Sequence, residues 1–249
     1  MQSLEEIAKE LNLTNLPKDR VERARTINMA KFEADSNRKI NLMYLESKQR
    51  AMYRGSVYNE MGVLESHFAD FKADTYEQKA NVLKARQIAD RIAKGEKFKA
   101  VFTGNAGTGK TMLSVCVMNY LVETTHLACL FVSVPKLIDW EKTRAGGTDE
   151  QRVINLEKRI QHADVVVWDD LGSETSMQAN SQAQATEFTQ KVLFNLADSR
   201  RGKNDVFTTN NTSSELMRIY NPKLISRMLT QNPDNLIQFK GKDQRILNN

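Results

Sequence analysis

The sequence is poor in the features that build secreted and membrane proteins. Its 249 residues hold two cysteines, Cys116 and Cys129. Two cannot make a disulfide framework, and the Cys/His spacing of a structural zinc site is absent. No run of about 18 apolar residues occurs, so no membrane-spanning helix is expected. The opening residues Met1-Gln2-Ser3-Leu4-Glu5-Glu6 lack the basic-then-apolar order of a secretory signal. The three histidines, His67, His126 and His162, are isolated in the sequence. These absences predict a reduced, cytosolic, metal-poor chain, in which a divalent ion enters only with a ligand.

What is present is ordinary for a globular protein: 40% hydrophobic and 27% charged residues, with a net charge of +5. The charge is uneven. Residues 1–98 carry net +3, residues 99–197 net −2 and residues 198–249 net +4. A mild basic excess permits nucleic-acid binding without requiring it.

Two halves read differently. Leu4, Ile7, Ala8 and Leu11 fall on one face of a short helix, and 12–17 read as a break. From Lys18 to Arg54 there is neither Pro nor Gly, and helix formers dominate. One straight helix of that length would span about 55 Å. The apolar positions keep no clean heptad, so two or more packed helices are expected rather than a long coiled coil. Residues 55–74 read as loop, and 75–94 as a helix with Val82, Ala85, Ile88, Ala89 and Ile92 on one face. From Phe98 the text alternates. Short apolar runs at 98–103, 127–134, 165–168, 205–209 and 236–239 are separated by helical stretches. That pattern implies an α/β fold with a five-stranded parallel sheet covered on both faces. The expected domains are a helical 1–57, a linker at 58–74 and an α/β domain at 75–249. Cys116 and Cys129 read as small core residues, and Arg200-Arg201-Gly202-Lys203 as a helix end, where cations are favoured.

Gly104-Asn105-Ala106-Gly107-Thr108-Gly109-Lys110-Thr111 fits the phosphate-loop pattern at every fixed position, with Met112 next in the helix. Glycines let backbone N–H groups turn inward around phosphate oxygens. The helix that follows points its positive end at the same anion. Lys110 is expected on the β- and γ-phosphates of ATP or ADP, and Thr111 on Mg²⁺. About 60 residues on, Val165-Val166-Val167-Trp168-Asp169-Asp170 is an apolar strand ending in two acids, where parallel strands place ligands. Asp169 is expected to hold Mg²⁺ and Asp170 to orient the attacking water. Asn210 closes the next strand, within reach of the γ-phosphate or that water.

These residues carry a family resemblance. GNAGTGKT (104–111), VVVWDDLGSE (165–174), FTTN (207–210), LISRM (224–228) and FKGKDQR (239–245) together resemble the helicase-loader group of AAA+ ATPases, the DnaC/DnaI family, with the transposition helper IstB close by. LKARQIADRI (83–92) is similar to the helix that family carries before its first strand. The resemblance covers about residue 58 to the end. It implies an AAA+ P-loop core without a carboxyl-terminal lid, preceded by an all-helical amino-terminal domain of the DnaC type. It implies that Arg227 is an arginine finger reaching a neighbour's nucleotide and that Arg245 is a second sensor contacting its own. Read as bare residues, both are surface arginines. Asp170 stands where most AAA+ proteins carry Glu, which implies slow, partner-stimulated ATP hydrolysis.

The implied function is ATP-dependent loading of a DnaB-type hexameric replicative helicase onto single-stranded DNA, in a bacterial or phage replication system. The helicase would dock on the amino-terminal helices, with about six loader copies in a ring or spiral on its hexamer. Trp140, Lys142 and Arg144 suit single-stranded DNA, an aromatic for stacking beside cations for phosphates. They suit equally a core Trp with solvated charges. Lys48, Arg50 and Arg54 interleaved with Tyr53 and Tyr58 read first as a charged helix end. An IstB-like helper on duplex DNA is the alternative. A small-molecule phosphotransferase and a non-hydrolysing scaffold share the phosphate loop.

Overall fold

The computed structural model describes residues 18–58, 62–144, 150–175, 184–230 and 232–241. Two compact units divide at 46/47. The first contributes most of α1 (Lys18–Arg54). This is one unbroken helix, not the two or more expected. With no Pro or Gly in the segment, nothing interrupts the hydrogen-bond ladder. Its amphipathicity is weak, and Met29, Phe32, Ile40, Met43 and Tyr44 are exposed.

The second unit begins inside α1, not at the expected 57/58. The last turns of the helix are the reason, because they bond into the α/β unit. Gln49 Nε2 donates to the carbonyls of Val122, Thr125 and Leu127. Tyr53 donates to Leu64 O at 2.7 Å, and Lys48 pairs with Asp164 at 3.2 Å. The segment expected as a linker is likewise packed. Phe68 and Phe71 are buried, and just before the segment Val57 bridges to Val132.

The α/β unit continues with α2 (Tyr76–Ala93), β1 (Lys99–Gly104), α3 (Lys110–Thr124), β2 (Cys129–Ser133), α4 (Val134–Arg144) and α5 (Glu150–His162). Then follow β3 (Val165–Asp169), α6 (Glu187–Ser199), β4 (Asn204–Thr209), α7 (Ser213–Ile219), α8 (Pro222–Met228) and β5 (Leu236–Phe239). The sheet is parallel throughout, in the order β2-β3-β4-β1-β5. Side chains alternate across it with the period of two that strands impose. Phe102, Phe131, Val165 and Val167 join α2 and α3 in one core. Val101, Leu130, Val166, Trp168 and Phe207 join α4 to α8 in the other. This is the doubly covered sheet expected of the apolar runs.

Side-chain oxygens cap four of the helices around the sheet. Thr75 and Thr212 form capping boxes with Gln78 and Glu215, and Thr186 and Asn221 cap α6 and α8. Such caps contribute about 1 kcal/mol each. Cys116 and Cys129 are both buried, as expected, and burial pushes the Cys116 thiol up to about 12. His67 is not isolated in space: Nε2 lies 2.8 Å from Glu123 and Nδ1 3.5 Å from Asp70. Arg200 stands at a helix end, as expected, as the C-cap of α6. It is fully buried, with Nε donating to Asp205 at 2.5 Å and its other nitrogens to the carbonyls of Ile160, Ala163 and Asn204. Asp205 also accepts from the Trp168 indole at 3.0 Å. A buried guanidinium demands this full set of acceptors. No helix among the described residues is long and apolar enough to cross a membrane.

Candidate functional site

The carboxyl ends of β1, β3 and β4 lie side by side because β1 and β3 both pair with β4. Each delivers one part of the site. After β1 comes the loop from Gly104 to Gly109, with Asn105, Ala106 and Thr108 between the glycines. Gly104 (φ 143°), Gly107 (φ 68°) and Gly109 (φ 93°) adopt backbone that side chains resist. At Gly104 a Cβ would sit 2.0 Å from the carbonyl oxygen of Phe239 on β5. At Gly109 it would lie 3.0 Å from the Phe71 ring.

The loop feeds α3 through Gly109, which offers no side-chain cap. Four other helices of the unit are capped by side-chain oxygens. Here the first-turn N–H groups, beginning with Lys110, Thr111 and Met112, face the loop instead. That is the composition of an anion cradle. Lys110 is buried, and its Nζ donates to Asn105 O at 2.5 Å, across the loop. Thr108 Oγ1 donates to the same carbonyl at 2.8 Å.

β3 brings Asp169, 9% exposed. Its Oδ1 accepts from Thr111 Oγ1 at 2.8 Å and from Thr208 Oγ1 at 2.7 Å. Burial pushes this carboxyl above its ordinary range, while the two hydroxyls and Lys110 pull it back. Hydroxyl and carboxylate thus converge where a cation with oxygen ligands fits. Among the described residues no group of three or more His, Cys, Asp or Glu is arranged to hold a metal ion, so such an ion would be completed by a phosphate ligand and water.

β4 brings Thr208 and Asn210. Thr208 Oγ1 accepts from the Asp170 N–H at 2.9 Å while donating to Asp169. Asn210 Nδ2 donates to Asp170 Oδ1 at 2.9 Å. Lys110, Thr111, Asp169, Asp170 and Asn210, assigned from motifs far apart in sequence, therefore form one connected constellation. Thr208 is the member that sequence reasoning passed over. The available signal was a β-branched hydroxyl at the end of an otherwise apolar strand.

Other assigned residues lie apart. Arg227 binds within its own chain: Nε donates to Asp198 at 2.8 Å, Nη1 to Lys223 O at 3.0 Å, and the guanidinium covers the Phe194 ring at 4.2 Å. Arg227 and Arg201 together hold the Asp198 carboxyl below its ordinary range. Trp140 packs partly into the core, with Arg152 over its ring at 3.6 Å. Arg144 lies 3.3 Å from Glu157, and Lys142 lies 3.8 Å from Asp139. Of these three, Lys142 is the most exposed. Arg245 and the Leu4, Ile7, Ala8 and Leu11 stripe lie outside the described residues.

The model of the ATPase family associated with various cellular activities (AAA) matches residues 100–236. The replicative helicase loader DnaC of Escherichia coli K12 is 25% identical over 193 residues, which cover 74% of this chain and 73% of that protein. Among solved structures, the DnaI structure aligns with a TM-score of 0.58 at 20% identity, covering 80% of this chain and 100% of its own. The DnaC helicase loader structure aligns with a TM-score of 0.58 at 18% identity, covering 73% of this chain and 100% of its own. At those identities the structural likenesses speak for the fold.

Proposed function

The chain belongs to the AAA family of ATPases, and from that membership we propose that it is an ATP-dependent loader of a DnaB-type replicative helicase onto single-stranded DNA. The observation that carries this reading is the 25% identity to a replicative helicase loader over about three quarters of both chains. The phosphate site supports it. ATP with Mg²⁺ supplies the bond to be broken and a compact positive charge beside it. The residues present fit both, through an uncapped helix start behind three positive-φ glycines and a hydroxyl–carboxylate pair at Thr111 and Asp169.

The chain's own residues divide the work. Lys110, released from Asn105 O, offers its charge to the phosphates. Asp170, held by Asn210, orients a water and accepts its proton. Asp is one methylene shorter than Glu, so unstimulated turnover is slow. Arg227 serves a neighbouring copy in a ring or spiral, which requires it to exchange Asp198 for that neighbour's phosphate. Arg245 acts as the second sensor. The amino-terminal helices dock the helicase, with the exposed Met29, Phe32, Ile40, Met43 and Tyr44 as the apolar face a helical partner buries. Single strands run past residues 135–148, where Lys142 is accessible and Trp140 and Arg144 must first leave their partners.

The test is co-purification with a DnaB-type helicase in ATP, using wild type, a variant lacking residues 1–46, and Arg227→Ala. The loader reading expects binding by wild type and Arg227→Ala and none by the truncated chain. Absence of wild-type binding, with duplex DNA preferred over single strands, would replace it with the IstB-like role.

A further inference from the structure

The turn after β3 has an unusual backbone. Asp170 is the one non-glycine residue with positive φ among the described residues, at 64°. Asp tolerates that region better than most residues, yet it needs its neighbours to hold it there. β4 fastens the first part of the turn: Asp170 N–H donates to Thr208 Oγ1 at 2.9 Å, Leu171 N–H to Thr208 O at 2.9 Å, and Thr209 Oγ1 to Leu171 O at 2.7 Å. Gly172 follows at φ 95°. Its N–H donates to Glu174 Oε2 at 3.0 Å, and its carbonyl accepts from Thr175 Oγ1 at 2.8 Å.

The other oxygen of Glu174 reaches outside the turn. It accepts a hydrogen bond from the Tyr220 hydroxyl. Tyr220 is 2% exposed and stands between α7 and Asn221, the N-cap of α8. The tie therefore joins the turn that presents Asp170 to the root of the helix that carries Arg227.

Stability explains this pair poorly. Burial pushes the Glu174 carboxyl up and the Tyr220 phenol well up, and the hydrogen-bond donors to Glu174 are neutral. An apolar pair of the same shape would cost less to bury.

We propose that Glu174 and Tyr220 are positioning residues: their part-buried hydrogen bond fixes the left-handed turn that aims the Asp170 carboxylate and couples that turn to the root of α8. The inference rests on the ATPase reading, because Asp170 is the group positioned. Neither side chain touches the phosphate cradle, so loss of the tie affects turnover and not nucleotide affinity.

The experiment measures phosphate release, affinity for a fluorescent ATP analogue, and amide exchange for wild type, Tyr220→Phe, Glu174→Ala, their double variant and Glu174→Gln. Tyr220→Phe keeps the ring and loses only the hydroxyl. Expected are a fall in kcat of about 10-fold for each single variant, a double variant no slower than Glu174→Ala, and nucleotide affinity within twofold of wild type. Glu174→Gln, whose amide can still bridge Gly172 and Tyr220, recovers most of the loss. Faster exchange at the Asp170 and Leu171 amides is expected in Tyr220→Phe, and this readout needs no turnover. Wild type that binds nucleotide but releases no phosphate would sink the ATPase reading and leave the exchange data to decide the tie. Additive losses, losses that follow nucleotide affinity, or unchanged exchange would overturn the proposal.

Discussion

One helix, α1, obeys two rules along its length. Up to Glu46 it is written by propensity: helix formers, no breakers, and apolar side chains left exposed, among them Phe32 at 74% and Met43 at 61%. From Ser47 on it is written by tertiary contacts. Lys48, Gln49 and Tyr53 each bond to a different part of the α/β unit, and Gln49 covers carbonyls at and beyond the end of α3 that the helix itself leaves unsatisfied. Ladder hydrogen bonds alone hold long helices weakly in water. On the proposed reading the first stretch offers its exposed apolar side chains to the helicase, whereas the second is bonded into the α/β unit. Perturbations of the α/β unit should cost stability or turnover, and perturbations before residue 46 should cost binding alone.

The largest effect is expected at Gly104. Any side chain there meets the Phe239 carbonyl at 2.0 Å and a φ of 143°. Gly104→Ala combines backbone strain with overpacking between β1 and β5, about 3–4 kcal/mol together. A urea titration reads it, and an unchanged midpoint would contradict the close approach. Next is Lys110→Ala. Removing the one lysine of the cradle lowers turnover by about two orders of magnitude, with helicase capture by the amino-terminal helices retained. Phosphate release and co-purification measured on the same preparation separate the two.

That division also separates what was legible in the sequence from what was not. The phosphate loop and the acids of β3 were legible because their function needs fixed residue types at fixed spacing, and three positive-φ glycines and an Asp–Thr contact are the outcome. The strands were legible because burial on both faces leaves short apolar runs. The unity of α1 was not. A broken heptad argues against a coiled coil, but it does not argue for a break in the helix. Arg200 was read rightly as a helix end, but its burial was not foreseen, because a cation after a helix faces solvent only when no acid waits inside. Here Asp205, five residues on, sits 2.5 Å away in the core. Arg227 and Trp140 carried meanings assigned from outside, and the fold gives each a partner in its own chain, Asp198 and Arg152. Periodicity along one helix cannot foresee which side chain of another helix will pair with it.

Gln49→Ala probes the anchored end of α1. Losing the donor to three carbonyls is expected to lower stability by about 1–2 kcal/mol, seen as a shifted denaturation midpoint at unchanged slope. Glu174→Gln has a smaller effect that depends on pH. Burial raises the Glu174 carboxyl above its ordinary 4.5. Near pH 4 the folded and unfolded forms are both largely protonated there, so the wild type carries little penalty. As pH rises through 4.5 the unfolded chain ionises first, and the wild type loses stability relative to the Gln variant. The variant should equal or exceed wild type at pH 7, with the gap closing toward pH 4. A gap of the opposite sign would mean that the two hydrogen bonds to the carboxylate outweigh its burial.

The smallest effect on stability is expected from Ile40→Ser with Met43→Ser. Both side chains are more than 60% exposed, so removing them uncovers no core and should move the denaturation midpoint by less than about 0.5 kcal/mol. Turnover by the isolated protein should stay at the wild-type level. Helicase capture should weaken at least tenfold, because an apolar face kept in water is stabilised only by what covers it. A large loss of stability would show that these residues already have a partner within the fold. Full stability with full capture would move the dock to another face of the amino-terminal region.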